Sequence, residues 1–227
     1  MKNVKCTWVL KGGTQCKNYA VTGNMLCSSH ILASRAMRGE GPKINDPRFL
    51  RPALSEPAMV DEDIESIGRA LNLHRVKYVV IGGIAAELHG ADIERSKDMD
   101  ICVLRVEDGQ ENLERLVEFL KEVDAIPRGW PSHISYDLHS PDNFRDIKFA
   151  NYETRYGSFD IGFTPSGFDK GYAQFEAGAV IIEFRGVPLM VASLEDIITS
   201  KTAANRDKDI VTLGKLRERL RQIGKTK

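Results

Sequence analysis

The sequence predicts an α+β domain, a mixed sheet flanked by helices, preceded by a small zinc-binding module. Three observations carry this. Helix-period and strand-period segments alternate over residues 61–227, and in the middle strands outnumber crossover helices, which disfavours a doubly wound parallel sheet. An apolar run breaks at a glycine pair in VVIGGIAAELHG, residues 79–90, as a strand feeding straight into a helix would. Three of the four cysteines crowd into residues 6–27.

The elements follow in order. DEDIESIGRALNLHRV, residues 61–76, reads as a helix, with acidic residues in its first turn and an apolar stripe of Ile64, Ile67 and Leu71. Residues 76–81 read as a strand, and Gly82 and Gly83 then open a short helix through Leu88. Residues 99–104 form a second strand. Residues 112–123 form a helix with Leu113, Leu116, Val117 and Leu120 on one face. Residues 134–138, 146–150, 158–163 and 180–184 read as further strands. A helical C-terminal region begins after Ser193, where S-L-E-D is a capping-box pattern.

A chain of 227 residues suits one or two domains, each able to bury a core. Its net charge is zero, so the whole molecule makes no electrostatic case for nucleic acid or membrane. The charge is uneven, though: residues 1–60 hold nine Lys or Arg against three acidic residues. No segment nears the roughly 18 apolar residues of a membrane span, and MKNVKCTWVLKGG lacks a signal-peptide core. A cytoplasmic, reducing setting is the expectation. Three zones follow: residues 1–32 as the zinc module, 33–60 as a proline-bearing linker or arm, and 61–227 as the main domain.

Chemistry concentrates in two strands. Side chains alternate along a strand, so Asp98 and Asp100 of SKDMDICV share one face, their Cα atoms roughly 7 Å apart. Met99, Ile101 and Val103 face the other way, toward a core. SFDIGF repeats the design: Phe159, Ile161 and Phe163 alternate with Ser158, Asp160 and Gly162. If the two strands are neighbours, three carboxylates converge. Such a group repels itself, and a hard cation such as Mg²⁺ resolves the repulsion. D-x-D by itself reads more readily as an exposed strand face, or as partners for Arg95 and Lys97. The glycine pair, whose N–H groups can approach an anion, and Asp160 tip the balance toward a metal-phosphate site.

These residues resemble the nucleotidyltransferases of the DNA polymerase β superfamily. The closer likeness is to bacterial minimal nucleotidyltransferases, toxin-type ones of the AbiEii/MenT kind among them. The matching residues are Gly82, Gly83 and Ala85, then Ser96, Asp98 and Asp100, then Asp160. The resemblance implies that the glycine turn and Ser96 hold a triphosphate, and that Asp98, Asp100 and Asp160 bind one or two Mg²⁺. It also implies that Asp160 helps activate an acceptor hydroxyl. In the R-x-T-x-D-x-D pattern of relatives, Glu94 stands here at the arginine position and an arginine follows at Arg95.

SLEDIITSKTAANRDKDIVTLGKL resembles the family's K-x-x-A-x-R-x-K-D helix through Lys201, Ala204, Arg206, Lys208 and Asp209. Lys201 shares a stripe with Ile197 and Ile198, so it points inward and needs an anion; phosphate contact is set against a snorkelling lysine. Arg206 and Lys208 join it as nucleotide-binding candidates, and Asp209 reads as an orienter of a basic neighbour.

At the N-terminus, Cys6-x9-Cys16-x10-Cys27-x2-His30 supplies three thiolates and an imidazole, a tetrahedral Zn²⁺ set, against free thiols in a reducing compartment. It is similar to small treble-clef-like or WRC-like modules. Lys5, Lys11, Lys17, Arg35 and Arg38 with Trp8 and Tyr19 match a nucleic-acid footprint as well as they match a solvated surface. Cys102 reads as a buried thiol. His89 reads as a helix terminus, and His133 and His139 as polar loop residues.

The expectation is an NTP-dependent, ATP-binding class of transferase that moves an NMP onto an acceptor hydroxyl and releases pyrophosphate. The acceptor stays open between an RNA 3′ end, tRNA included, and a protein, and an antitoxin partner stays open with it. Two alternatives stand beside this: a non-catalytic zinc-containing binding protein on an inert or nucleotide-sensing fold, and a phosphohydrolase using the same metals.

Overall fold

In the computed structural model the described residues are 58–105, 111–128, 140–144 and 146–224. They belong to a unit spanning residues 56–128 and 136–227. The zinc-module residues Cys6, Cys16, Cys27 and His30, nearly all of the expected arm, the expected strand at 134–138, and His133 and His139 lie outside the described residues.

The described elements are α1 (Asp61–Leu73), β1 (Tyr78–Ile81), α2 (Gly82–Leu88), β2 (Asp98–Val103), α3 (Glu111–Glu122), β3 (Ile126–Pro127), β4 (Phe149–Thr154), β5 (Gly157–Gly162), α4 (Tyr172–Glu176), β6 (Val180–Phe184), β7 (Val187–Val191), α5 (Leu194–Ala204) and α6 (Asp207–Gly224). A single 3-10 turn, Pro141–Phe144, precedes β4. The strands form a mixed seven-stranded sheet in the order β3-β4-β5-β2-β1-β7-β6. β2 runs antiparallel to β1 and parallel to β5, and β4 runs antiparallel to β5. The α+β class expected from the sequence is the class observed.

The hydrophobic alternation decides which face is dry. Met99, Ile101, Phe159 and Ile161 are fully buried on one side of the sheet. α3 covers that side, its Phe119 ring meeting Phe159 at 5.3 Å between centroids in a tilted contact. α1 supplies Ile64, Ile67 and Leu71 to the same core. The opposite side carries the aspartates.

Some boundaries depart from expectation. The strand placed at 146–150 is displaced to Phe149–Thr154. β7 is a strand that the sequence reading missed, because Pro188 breaks the pattern. It is tolerated since β7 pairs with β1 only at Val80 and Val191, so Pro188 meets no β1 partner. Arg185 and Gly186, both at positive φ (50° and 78°), close the β6–β7 hairpin as a two-residue turn. The capping pattern at Ser193 forms as expected, with its hydroxyl accepting from the Asp196 N–H at 3.1 Å. The C-terminal helical region then breaks in two at Asn205, whose left-handed conformation (φ 47°, ψ 43°) reverses the chain between α5 and α6.

A candidate active-site cleft

β1 ends at Ile81 and α2 starts at Gly82, and the site is built outward from there. Gly82 sits at φ +71°, and a Cβ on it would lie 2.2 Å from Asp100 Oδ2. Both the backbone and the carboxylate therefore demand glycine at this position. Gly83 has a similar neighbour: a Cβ there would come 2.8 Å from Ser96 Oγ. The glycine pair thus lets Ser96, just before β2, and Asp100 on β2 press against the β1–α2 turn. Gly82→Ala is expected to cost about 2 to 4 kcal/mol in stability, from the left-handed backbone and the overlap together, measured by urea unfolding.

The register of β2 and β5 sets Asp100 directly opposite Asp160, and Asp98 opposite Ser158. In a parallel pair these partners project from the same side, so Asp98, Asp100 and Asp160 share a face. Their charges are coupled. Burial first, then Asp98 and Asp160, push the Asp100 carboxyl up to about 7, while Lys201 and Lys208 pull against the rise. Asp160 is also raised, by burial first, although Arg128 and Asn151 oppose it. No described residue donates a hydrogen bond to the Asp100 carboxylate.

The other two carboxylates have partners. Ser96 Oγ donates to Asp98 Oδ1 at 3.1 Å. Asp160 accepts from Arg128 Nη2 at 3.1 Å and from Asn151 Nδ2 at 2.5 Å, one on each oxygen. Among the described residues, no group of three or more His, Cys, Asp or Glu is gathered tightly enough to grip one ion as it stands. The physical reason lies in those contacts, because Asp160 is turned toward Arg128 and Asn151. Even so, the donor set suits a hard cation: oxygen ligands, mutual repulsion, and in Asp100 an acid with no donor of its own.

Opposite this face stands the basic end of α5. Gly82, Asp100, Asp160, Lys201 and Arg206 line one open cleft of about 520 Å³. Lys201 points inward as its stripe predicts, with only 13% of its side chain exposed. Its anion is supplied by the protein: Lys201 Nζ donates to Asp209 Oδ1 at 3.2 Å, and Arg206 Nε donates to Asp209 Oδ2 at 2.6 Å. Asp209 is fully buried. Burial pushes its carboxyl up, but the hydrogen bonds from Arg206 and Lys201 outweigh that and hold it below the usual range. Asp209 is therefore the orienter that the sequence suggested. The left-handed turn at Asn205 is what brings it back onto Lys201. Lys208 is exposed and reaches Asp100 only electrostatically.

Arg95 is engaged elsewhere. Its guanidinium pairs with Asp61, and with Glu87 at 3.4 Å, and it does not line the cleft. Glu87 also accepts from the Ser96 N–H at 2.7 Å, so Arg95 helps anchor the approach to β2. His89 caps α2 and its Nε2 bonds the Ala192 carbonyl at 2.8 Å, a structural role. Cys102 is buried, and burial pushes its thiol up to about 12. Arg128, Asn151 and Phe149 were not singled out from the sequence. The signal available was the alternation of Phe149, Asn151 and Glu153 along β4, facing Gly162, Asp160 and Ser158 in turn.

No family model matches the chain, and no curated protein matches it. Several solved structures resemble it in part. A lincosamide antibiotic adenylyltransferase, LnuA, in its lincomycin-bound form, aligns at 11% identity over 71% of this chain and 98% of that one, with a TM-score of 0.49. A nucleotidyltransferase-like antigenic protein from Paracoccidioides brasiliensis aligns at 14% identity, over 70% and 78%, with a TM-score of 0.45. The antibiotic-resistance factor ANT(2'')-Ia aligns at 13% identity, over 73% and 95%, with a TM-score of 0.40. Among the described residues no helix is long and apolar enough to cross a membrane.

Proposed function

We propose that the chain is a metal-dependent nucleotidyltransferase that moves an NMP from an NTP onto an acceptor hydroxyl. The observation that carries this is the register of Asp100 with Asp160 beside Gly82, in a cleft whose other wall holds Lys201 and Arg206. Acidic and basic walls facing each other match a substrate that arrives as a metal–triphosphate complex.

In this reading the acceptor oxygen attacks the α-phosphorus, the bond to the β-bridging oxygen breaks, and pyrophosphate leaves with its electrons. The acceptor proton passes to a carboxylate or to water. Asp98, Asp100 and Asp160 would hold Mg²⁺, one ion or two, and that ion supplies charge neutralisation at the phosphoryl oxygens. Ser96 and the glycine turn hold the phosphates. Lys201 and Arg206, pre-aimed by Asp209, neutralise the departing pyrophosphate, with Lys208 adding long-range field. Arg128 and Asn151 each hold one oxygen of Asp160, and Asp160 would serve as a ligand only by giving up the Arg128 contact.

The Cys6, Cys16, Cys27 and His30 module would bind structural Zn²⁺ and dock the acceptor, an RNA 3′ end or a protein. Kinship with toxin-type enzymes is the finer form of the reading and brings an antitoxin partner and a cytoplasmic setting with it. One observation favours a second reading, an inert or nucleotide-sensing fold: Asp160 is already paired with Arg128.

Incubation with α-labelled NTPs and bulk RNA or protein separates the two. Label is expected on a macromolecule with the intact chain and lost with the Asp98→Ala, Asp100→Ala double variant. No transfer with any NTP or metal would leave the inert fold, and NTP breakdown without labelling would mean a phosphohydrolase.

A further inference from the structure

Resting on the transferase reading, we infer that Phe149 is the stacking platform for the base of the nucleoside triphosphate. Phe149 opens β4 and lies 53% exposed, a large ring left half in water. A single exposed apolar side chain is ordinary on a protein surface. The placement of this one is what matters. It shares the aspartate-bearing face of the sheet and lines the same cleft as Asp100, Asp160 and Lys201. Asn151, two residues along the same strand, holds Asp160. The Cα of Phe149 is therefore one pleat, about 7 Å, from that of Asn151, the residue that holds Asp160, and the sugar of a nucleotide can lead from the ring toward the carboxylates.

The residue opposite in register is Gly162. A Cβ there would come 3.3 Å from Phe149 Cε1 and 3.3 Å from Pro165 Cγ. With no side chain at 162, the ring settles over the strand and keeps its outer surface open to the cleft. Among the described residues no ring or cation stacks on it. The cleft is thus two-natured. Lys201 and Arg206 suit a polyanion, while the exposed ring of Phe149 suits a planar apolar ring. A nucleoside triphosphate has both parts on one molecule, and stacking on an aromatic face tolerates any base.

The test is calorimetric titration of the full chain, Phe149→Ala and Phe149→Tyr with each NTP and, separately, with inorganic tripolyphosphate. Phe149→Ala is expected to weaken NTP binding about tenfold or more while leaving tripolyphosphate unchanged. Phe149→Tyr is expected to keep NTP affinity because it keeps the ring. Equal NTP affinity in Phe149→Ala and the parent chain would overturn the inference. So would a parallel loss of NTP and tripolyphosphate, which would mean a damaged cleft. A parent chain that binds NTP with this ring dependence but transfers no label would sink the transferase reading and leave the platform standing. A parent chain that binds no NTP would sink both.

Discussion

Asp209→Ala is expected to lower the midpoint of thermal unfolding by about 6 to 12 °C, from a loss of about 3 kcal/mol. The carboxylate is fully buried and receives hydrogen bonds from two cations, Lys201 and Arg206. Removing it leaves the inward lysine without its anion, and an unpaired cation that is only 13% exposed is costly. Arg206, 58% exposed, can turn to water and contributes less. Lys201 is also attracted to Asp100, and a partial swing toward it limits the loss. Asp209→Asn keeps the shape and one acceptor oxygen, so its penalty is smaller.

The sign of the pH dependence follows from the lowered acid. A carboxyl whose folded value lies below 3.8 contributes stability that is fully present above 3.8 and is lost as pH falls through the folded value. The gap between parent and Asp209→Ala is therefore full at neutral pH and narrows in acid. The same variant is expected to bind tripolyphosphate more weakly, because Lys201 and Arg206 lose the group that aims them. Unfolding midpoints by scanning calorimetry decide the matter; a change within about 2 °C would mean that the pair contributes no more than an exposed one.

The reach of the sequence can be judged residue by residue. DMDICV and SFDIGF displayed their dry and wet faces through period-two alternation, a local signal that needs no partner to be read. That β2 and β5 lie side by side is not local. Asp100 and Asp160 belong to separate segments, and their register depends on pairings that a linear pattern does not encode. Arg128 carried no signal because it follows a strand of only two residues, Ile126–Pro127, too short to show a period. Lys201 was legible as inward, but the expected phosphate turned out to have a competitor in Asp209, eight residues on. An Asn at the end of a helix was the clue to that reversal, since asparagine tolerates positive φ better than most residues. Pro188 misled in the other direction by masking a strand that forms where its missing N–H costs nothing.

Asp100→Asn is expected to do two opposite things: abolish transfer, by on the order of 10³-fold or more, and make the metal-free fold more stable above neutral pH. Burial raises the Asp100 carboxyl most, with no described donor to offset it, and repulsion from Asp98 and Asp160 on the same sheet face adds to the rise. Its folded value of about 7 lies above 3.8, so the folded state binds the extra proton. Stability that is fully present below 3.8 therefore drains away as pH rises toward 7, and the deficit persists above it. At 1.36 kcal/mol per unit the deficit has a ceiling of about 4 kcal/mol. Asp100 keeps some contact with cleft water, which trims it to about 1 to 2 kcal/mol, or about 2 to 8 °C. Asparagine removes the charge and brings an N–H donor toward Asp98 and Asp160. In chelator, the variant should melt above the parent chain at pH 8, with the gap shrinking steadily as pH falls and closing near pH 4. Added Mg²⁺ at pH 8 should raise the parent chain and leave the variant nearly unmoved, since a cation relieves the repulsion that the substitution has already removed. A parent chain whose midpoint ignores both pH and Mg²⁺ would show that the aspartates are too far apart to feel one another, and the cation site would go with them.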